Sequence, residues 1–395
     1  MRTRPTWAEI SIDHLIHNYQ TLRKAASGTG VIAVVKANAY GHGVLACAAA
    51  LETAGAQWLG VTSVEEGAAV RSVCARARIL VMCGVWEHEA EAVIEHRLTP
   101  VVWEAAHIDW LDDAAKHRGL GPQSVPVHLE IDSGMARQGV RLSELPALLN
   151  RLDRAKSLAL EGVMTHFHSP ELLDGKSTAE QTERFDSALE MIMGGGFRPK
   201  VIHAGNSATL LAIDGAQGLR NLAAKHGACA MLRPGLALYG YAPRFSGNGV
   251  LPAASELQPV LTWKTRVVSL RTIEPGEHAG YCATFSAKRR SRLALLSAGY
   301  ADGLNRLLSN RGEVLVRGRR APIAGRISMD LTIVDVTDVD AAALGDEVVL
   351  LGAQGKERIT AYDLADCVGT IPYEVLCGIS ARVPRVTIDA SGGHA

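Results

Sequence analysis

Short apolar runs of strand length alternate with amphipathic stretches of helix length from residue 31 to about residue 240. The eight runs are Val31–Lys36, Trp58–Ser63, Arg78–Cys83, Leu98–Trp103, Val125–Asp132, Leu158–Phe167, Lys200–Asn206 and Cys229–Arg233. Such alternation is typical of βα units and a parallel sheet. Eight units in about 210 residues predict an α/β fold with a closed (β/α)8 TIM barrel, although an open doubly wound sheet shows the same alternation.

The pattern changes after about residue 245. The segment Arg244–Ser255 has the composition of a linker, and strand-like runs rich in Val and Leu follow it, joined by Gly and Pro turns. These runs are Leu261–Arg271, Arg292–Ala298, Glu313–Val316, Ala321–Val336 and Glu347–Leu351. We therefore predict a barrel domain at residues 1–245 and a mainly β domain at residues 246–395. Apolar residues at helical spacing after Ser11 predict a helix before the first barrel strand.

Composition and charge narrow the classes of function. Lys plus Arg equals Asp plus Glu at 41 each, so no overall field favours nucleic acid or an anionic membrane surface. No window reaches the roughly 20 apolar residues that span a bilayer, and the first residues lack an apolar signal core. The seven cysteines are scattered without a C-x-x-C pair, which disfavours a disulfide framework or structural zinc. We expect a cytoplasmic protein without nucleic-acid or membrane partners.

Lys36 is the first candidate for chemistry, because functional residues of a parallel barrel gather at the C-terminal ends of its strands. It follows five apolar residues, and desolvation at such a position favours a neutral amine that can attack a carbonyl. The alternative is a strand-end lysine that reaches solvent. The following ANAYGHG supplies the Tyr40 hydroxyl and two glycines at which a backbone can approach a ligand closely.

Other strand ends carry polar residues as well. Asn206 and Ser207 precede the helical pattern SATLLAI, where they suit either a phosphate or an ordinary helix cap. His166 and His168 alternate along one predicted strand and raise the possibility of a metal site. Neither a carboxylate nor a cysteine completes a ligand set at suitable spacing, so we predict no metal.

Residues 34–43, VVKANAYGHG, resemble the segment of bacterial alanine racemases whose lysine carries pyridoxal phosphate as an aldimine. The resemblance continues in order through LEIDSGMARQG, MTHF, HAGNSA, RPGLALYG, AGYCATF, GYADG, GRISMD and IPYEVLCGISARVPR, which lie in both predicted domains. The chain is thus identified as a member of the alanine racemase family, of fold type III. The resemblance implies interconversion of L-alanine and D-alanine with pyridoxal 5′-phosphate, supply of D-alanine for peptidoglycan, and a homodimer with shared active sites.

By this resemblance, racemisation uses two groups on opposite faces of the substrate, Lys36 and Tyr281. A single base on one face would usually return the proton to the side it came from. A tyrosine with the ordinary pKa of about 10 is a poor base near neutral pH and needs help from a cation or a hydrogen bond. His166, expected to be hydrogen-bonded to Arg233, is the candidate for that help, and the alternative is a satisfied core histidine. In the family the tyrosine comes from the second subunit.

The resemblance also assigns the groups that hold cofactor and substrate. Arg233 meets the pyridine nitrogen and, because guanidinium is always a donor, keeps that nitrogen unprotonated. Arg137 holds the phenolic oxygen of the cofactor and the substrate carboxylate. Met329 and Asp330 of the second subunit line the carboxylate side of the substrate. The cofactor-binding set implied by the resemblance is Lys36, Tyr40, Arg137, His166, Asn206, Ser207, Arg233, Gly235, Leu236 and Tyr373. Within this set, the resemblance assigns the backbone N–H groups of Gly235 and Leu236 and the hydroxyls of Tyr40 and Tyr373 to the phosphate, together with Asn206 and Ser207.

Four positions depart from the family pattern: Ala136, Cys282, Pro372 and Ala381. None removes a catalytic group. Cys282 and Pro372 flank pocket residues, however, and leave open a broader amino-acid racemase that acts on serine or larger side chains. A non-catalytic pyridoxal-phosphate carrier is a further alternative, but such carriers resemble the barrel alone.

Glu130 stands where many family members have a lysine bearing a carbamate derived from carbon dioxide, which orients the following arginine. On a strand, Glu130 and Asp132 point to the same side, and a buried carboxylate is costly unless it is paired. We therefore predict that Glu130 is buried and holds Arg137 by a charge-assisted hydrogen bond, without any modification. The alternative is a glutamate that faces solvent.

Overall fold

The computed structural model of the protein describes residues 4–388. The chain forms two compact units. The barrel unit comprises His14–Ala39 and Val44–Gln258, and the β unit comprises the segment up to Asp13, Tyr40–Gly43 and the chain from Pro259 onward.

Strands occur throughout the chain and are numbered β1 to β19 in chain order. They are Thr6–Ser11, Gly30–Val34, Trp58–Val61, Arg78–Val81, Leu98–Val102, Val125–Glu130, Leu158–Met164, Val201–His203, Cys229–Leu232, Leu261–Ile273, His278–Ala279, Phe285–Ser286, Ser291–Leu296, Glu313–Val316, Arg319–Pro322, Thr332–Asp335, Glu347–Gln354, Glu357–Ile359 and Arg385–Ile388.

Right-handed α-helices connect the barrel strands, and two more lie between β18 and β19 of the β unit. In the barrel unit and the segment that leads into it they are Ile12–Ala25, Val44–Thr53, Val64–Arg71, Ala90–Glu95, Ala105–His117, Leu145–Arg154, Lys176–Gly194, Ser207–Leu211, Gly215–Lys225 and Ala253–Glu256. In the β unit they are Ala361–Val368 and Pro372–Cys377.

Strands β2 to β9 form a closed parallel barrel, which confirms the predicted fold and all eight predicted barrel strands. Closure is made by β2 and β9, with Val31 opposite Leu232. The interior strands read as continuous apolar runs, and every residue of Leu98–Val102 is buried, because helices cover the outer face while the barrel core fills the inner one. Gly67 permits one close helix contact, since a Cβ at that position would lie 2.8 Å from the Leu98 side chain.

The β unit is built on a sheet in the order β15-β14-β17-β10-β1-β19, with β13 pairing β10 and β16. Strand β1 pairs antiparallel with β10, where Ala8 faces Trp263, and parallel with β19, where Ala8 faces Arg385. Residues near the two chain ends therefore lie side by side in one sheet.

The unit boundaries differ from the predicted division at residue 245. The first residues belong to the β unit because β1 hydrogen-bonds to β10 and β19 of that unit. The linker segment belongs to the barrel unit, where the N–H of Leu251 donates to the Leu211 carbonyl at 2.8 Å and the N–H of Leu173 to the Ser246 carbonyl at 3.2 Å. The predicted strand Ala321–Val336 is likewise two strands, β15 and β16, separated by residues 323–331.

Candidate active site

Lys36 is half-buried and lies two residues beyond the end of β2. The next four residues, none of them glycine, all have a left-handed backbone, with φ of 52° at Ala37, 54° at Asn38, 55° at Ala39 and 52° at Tyr40. Left-handed geometry costs non-glycine residues roughly 1–2 kcal/mol each, and such strain tends to gather at functional sites.

Side chains of the barrel unit hold this strained turn in place. Glu66 Oε1 accepts from the N–H of Ala37 at 2.6 Å, and Asn38 Oδ1 accepts from the N–H of Val44 at 2.8 Å. The same Glu66 carboxylate accepts from the N–H of Thr62 at 2.9 Å. The backbone next to Lys36 is thus anchored to the loop after β3, which fixes where the lysine side chain begins.

Arg233 follows β9 and is only 4% exposed. Its guanidinium donates to the Thr165 carbonyl at 2.7 Å, to His166 Nδ1 at 3.2 Å and to His203 Nδ1 at 3.0 Å. Burial lowers the pKa of Arg233 to about 10, which leaves it protonated near neutral pH. The predicted hydrogen bond between His166 and Arg233 is confirmed. Thr165 and His203 are partners of Arg233 that were not predicted, although they lie in the motifs MTHF and HAGNSA.

His166 is held in one protonation state by this arrangement. Burial, and next the charge of Arg233, lower the pKa of His166 to about 3, so the ring is neutral at physiological pH. Because Arg233 can only donate, Nδ1 of His166 is an acceptor and the ring proton lies on Nε2. His166 therefore presents an N–H donor on the side away from Arg233.

The two predicted phosphate-binding segments of the barrel come together. Asn206 Oδ1 caps the helix Ser207–Leu211 by accepting from the N–H of Ala208 at 2.8 Å. Ser207 Oγ accepts from the N–H groups of Gly235 and Ala237 at 3.0 and 3.1 Å. The Ser207 hydroxyl hydrogen thus remains as a donor, next to the turn that begins at Leu236.

The hydrogen bond of the Gly235 N–H differs from the prediction. Gly235 was expected to offer its N–H to a phosphate, whereas this N–H already donates to Ser207 Oγ. The cap formed by Asn206 is the ordinary helix cap considered above, and it also fixes the backbone that presents Ser207.

Glu130, the last residue of β6, is buried as predicted, but its hydrogen-bond partner is not Arg137. Glu130 Oε2 accepts from Gln138 Nε2 at 2.5 Å, and the same Nε2 lies 2.9 Å from the Met82 carbonyl. Within residues 4–388 no ion pair joins Glu130 to Arg137, whose side chain is exposed. The prediction of a direct Glu130–Arg137 bond is wrong because Gln138, on the same loop, occupies the carboxylate.

The protonation of Glu130 is expected to make stability depend on pH. Burial raises the pKa of Glu130 from 4.5 to about 7, against the opposing effect of Gln138. Between these values the folded state binds more protons than the unfolded state, so the free energy of unfolding falls as the pH rises from about 4.5 to 7, by about 3 kcal/mol for this group.

Glu130→Gln removes this titration, so its stability relative to wild type should be higher at pH 8 than at pH 5. Urea unfolding of both proteins at the two pH values measures the difference. Glu183→Gln, at an exposed helix position, is the matched control and should show no such pH dependence. An equal stability difference for Glu130→Gln at both pH values would contradict the assignment.

Ala136 occupies a backbone position that favours glycine. Its φ is 55°, and the family motif G-M-G-R has glycine there. We expect Ala136→Gly to raise the free energy of unfolding by about 1 kcal/mol, because the left-handed strain is relieved. Ala179→Gly, at an exposed position in the helix Lys176–Gly194, should instead lower it by about 1 kcal/mol. Thermal unfolding measures both, and a loss of stability in Ala136→Gly would refute the strain argument.

The remaining predicted site residues lie in the β unit. Tyr281 begins a short 3-10 turn after Gly280 and is 68% exposed. Met329 is also exposed, and Asp330 Oδ1 accepts from Arg382 at 2.7 Å. Tyr281 and the exposed Leu331 line one open cleft of the β unit, so apolar side chains face solvent there.

Tyr40 and Tyr373 meet within the β unit. Their ring centroids are 6.0 Å apart with the ring planes tilted by 44°. Tyr40 is buried, and burial raises the pKa of its hydroxyl well above the ordinary value, so the phenol stays protonated as a donor. The two tyrosines assigned to one phosphate cradle are therefore neighbours.

Two family models match most of the chain. The model described as "Alanine racemase, N-terminal domain" matches residues 10–243, and the one described as "Alanine racemase, C-terminal domain" matches residues 260–387. The chain belongs to the alanine racemase family. Family membership accounts for the order of all the motifs noted above and for the pairing of a barrel with a β domain.

Individual relatives agree over the full length. The alanine racemase of Sorangium cellulosum is 42% identical over 392 residues, which cover 97% of this chain and 98% of the relative. The crystal structure of alanine racemase from D-cycloserine-producing Streptomyces lavendulae superposes with a TM-score of 0.88 at 31% identity and covers 98% of both chains. That of Bartonella henselae, with covalently bound pyridoxal phosphate, has a TM-score of 0.82 at 28% identity and covers 97% of this chain and 99% of that one.

Residues 4–388 were compared with the requirements for a metal site and for a membrane-spanning helix, and they meet neither. No set of three or more His, Cys, Asp or Glu side chains there is arranged to hold a metal ion. None of the helices there combines the length and the apolar character needed to cross a membrane.

Proposed function

We propose that this chain interconverts L-alanine and D-alanine with pyridoxal 5′-phosphate as cofactor, as an isomerase of the cytoplasm that supplies D-alanine for peptidoglycan. The observation that carries the proposal is the buried guanidinium of Arg233, held by acceptors from two neighbouring strand ends of a barrel whose full sequence matches the family.

The residues fit the cofactor. Bound pyridoxal phosphate acts as an electron sink that acidifies the α-proton of an amino acid. Lys36 is proposed to supply the amine for covalent attachment, and pyridoxal phosphate is covalently bound in the Bartonella henselae structure. Ser207 retains a hydroxyl donor for the phosphate, and Tyr40 and Tyr373 are the proposed further donors. The Asn206 cap and the turn at Leu236 shape the same end of the barrel.

Arg233 is proposed to face the ring nitrogen of the cofactor. With a pKa of about 10, the guanidinium stays charged and can only donate. Facing a ring nitrogen, Arg233 would therefore keep that nitrogen unprotonated and weaken the electron sink, which would favour racemisation over side reactions such as transamination.

Lys36 and Tyr281 are proposed to exchange the α-proton from opposite faces, with Tyr281 supplied by the β unit of a second subunit. The exposure of Tyr281 on its own chain, the apolar Leu331 in the same cleft and the exposed Met329 support a homodimer. The neutral His166, with its N–H on Nε2, is the proposed partner of the Tyr281 oxygen, where a donor stabilises the phenolate that proton removal requires.

Arg137 is proposed to bind the substrate carboxylate, and the partner's Met329 and Asp330 are proposed to line the same side of the substrate. Arg137 is exposed and forms no ion pair with Glu130 in the described part of the chain, so its guanidinium can meet a carboxylate.

The proposal is tested by an absorbance spectrum of the purified protein together with racemisation assays on L-alanine, L-serine and larger amino acids. Visible absorbance with turnover of alanine well above serine supports it. Absorbance without turnover of any amino acid would indicate a carrier and overturn it.

A further inference from the structure

The hydrogen bonds of Arg233 continue into the interior of the barrel. His203 Nε2 lies 2.7 Å from His128 Nδ1, and both imidazoles are completely buried. His128 Nε2 lies 3.5 Å from Glu161 Oε2, a long contact, and has no other polar partner in the described chain. Glu161 in turn is paired with Arg78, the first residue of β4. The chain of contacts thus runs from a strand end to the opposite end of the barrel.

This chain of contacts has one direction. Because Arg233 can only donate, His203 Nδ1 must accept, which places the His203 proton on Nε2. That proton is donated to His128 Nδ1, so the His128 proton lies on its Nε2 and faces the Glu161 carboxylate. Reversing either ring would bring two donors or two acceptors together in the core, which is costly.

The charges agree with this direction. Burial lowers the pKa of His128, and burial with the charges of His128 and Arg233 lowers that of His203, so both rings are neutral. Burial alone would raise the pKa of Glu161, but the paired Arg78 guanidinium and the nearby His128 ring outweigh burial and hold the pKa at about 2. A carboxylate therefore ends the series of contacts that begins at a buried cation.

The barrel leaves room for the His128 ring specifically. A Cβ at Gly162 of β7 would lie 2.7 Å from the ring, so only glycine lets the imidazole lie against this strand. On another side the Trp58 ring centroid is 5.4 Å from that of His128, and the Arg78 guanidinium covers Trp58 at 4.3 Å. Packing thus holds the orientation of the ring that the hydrogen bonds require.

We propose that Glu161 and His128 are positioning residues for Arg233: from the far end of the barrel the carboxylate fixes, through two neutral imidazoles, the orientation of the guanidinium assigned to the cofactor ring nitrogen. The inference rests on the proposed function for its catalytic consequence. The tautomers themselves do not depend on activity, so they can be measured whether or not the chain racemises alanine.

The first experiment reads the tautomers by ¹⁵N NMR of histidine-labelled holoenzyme, with His203 and His128 assigned by His→Gln variants. We expect both rings to be neutral, with the proton on Nε2, at neutral pH and above. In Glu161→Leu the acceptor is lost, and the His128 signals should shift or show exchange between tautomers. Unchanged His128 and His203 signals in Glu161→Leu would overturn the proposal.

The second experiment measures the consequence for catalysis. We expect Glu161→Leu to lower kcat about tenfold with little change in KM for alanine, and to shift the visible absorbance of the cofactor, because Arg233 is less well oriented. Glu161→Gln, which still accepts from His128, should recover most of kcat. Gly162→Ala displaces the His128 ring without any change of charge and should reproduce the effects of Glu161→Leu.

Asp186→Leu is the matched control. Asp186 also pairs with a buried histidine side chain of the barrel unit, His226, through Oδ1 at 2.6 Å, but no contact among the described residues links that pair to Arg233. The control should lose stability without changing kcat or absorbance. If Glu161→Leu and Gly162→Ala behaved like the control, the two residues would be merely structural and the proposal would fail. An inactive wild type with the expected tautomers would instead count against the proposed function alone.

Discussion

Lys36→Ala is expected to lower kcat/KM for alanine racemisation by on the order of 10⁴-fold or more, because the chain loses both its covalent anchor for the cofactor and one of its two proton-transfer groups. The variant should also lose the visible absorbance of the wild type. Borohydride should bleach the wild-type absorbance by reducing the lysine linkage to a stable secondary amine, which mass spectrometry would locate on the peptide containing Lys36.

Lys156→Ala is the control for this experiment. Lys156 is an exposed lysine of the same barrel unit, paired with Asp153, and its loss should leave absorbance, reduction and turnover unchanged. If Lys36→Ala retained a borohydride-reducible linkage, another amine would carry the cofactor and the assignment of Lys36 would be wrong. The strained turn after Lys36 remains in the alanine variant, so a folding defect is not expected.

Tyr281→Phe is expected to depress racemisation in both directions by about 10²- to 10⁴-fold while leaving cofactor binding intact, because every turnover needs a proton-transfer group on each face. The side chain of Tyr281 is exposed on its own chain, so the change should not damage the fold. Tyr362→Phe, on a helix of the same unit, is the control and should keep wild-type rates. Near wild-type rates in Tyr281→Phe would refute the two-base assignment.

Mixing the two inactive variants tests whether the active site is shared. A mixed dimer of Lys36→Ala and Tyr281→Phe subunits contains one site with both native groups, and random exchange makes half of the dimers mixed. About a quarter of all sites should then contain both native groups. Activity should therefore return to about a quarter of the wild-type value, provided that each site takes Lys36 and Tyr281 from different subunits. If subunit exchange is complete and no activity returns, the two groups do not come from different subunits.

The barrel was predictable because its signal is local. Each of its eight strands is an apolar run of a few residues followed by a helical pattern, and all eight are confirmed. Strand β1 was missed because its partners, β10 and β19, lie more than 200 residues away in the chain and leave no mark near Thr6–Ser11. The split between β15 and β16 was missed because apolar residues such as Ile327 continue through the intervening loop.

In the candidate site, too, features set by the local sequence were predictable, whereas contacts between separate residues were not. The motifs identified Lys36 and Arg233, and the position of Glu130 near the end of a barrel strand suggested a buried carboxylate. The partner of Glu130 did not follow, because Gln138 resembles an ordinary loop residue until the loop brings its amide to the carboxylate. The left-handed turn at Ala37 and Asn38 was equally hidden, since neither residue type signals a positive φ as glycine does.

Racemisation of alanine by Lys36 and the partner's Tyr281 is tested by incubating pure L-alanine with the holoenzyme in D₂O. Circular dichroism should decay to zero as D-alanine forms, and NMR should show deuterium at the α-carbon of the D-alanine product, because its new α-proton comes from a group that exchanges with solvent. The same experiment with Tyr281→Phe should give little D-alanine. A persistent L-alanine signal with intact cofactor absorbance in the wild type, or D-alanine formed without deuterium, would contradict the account.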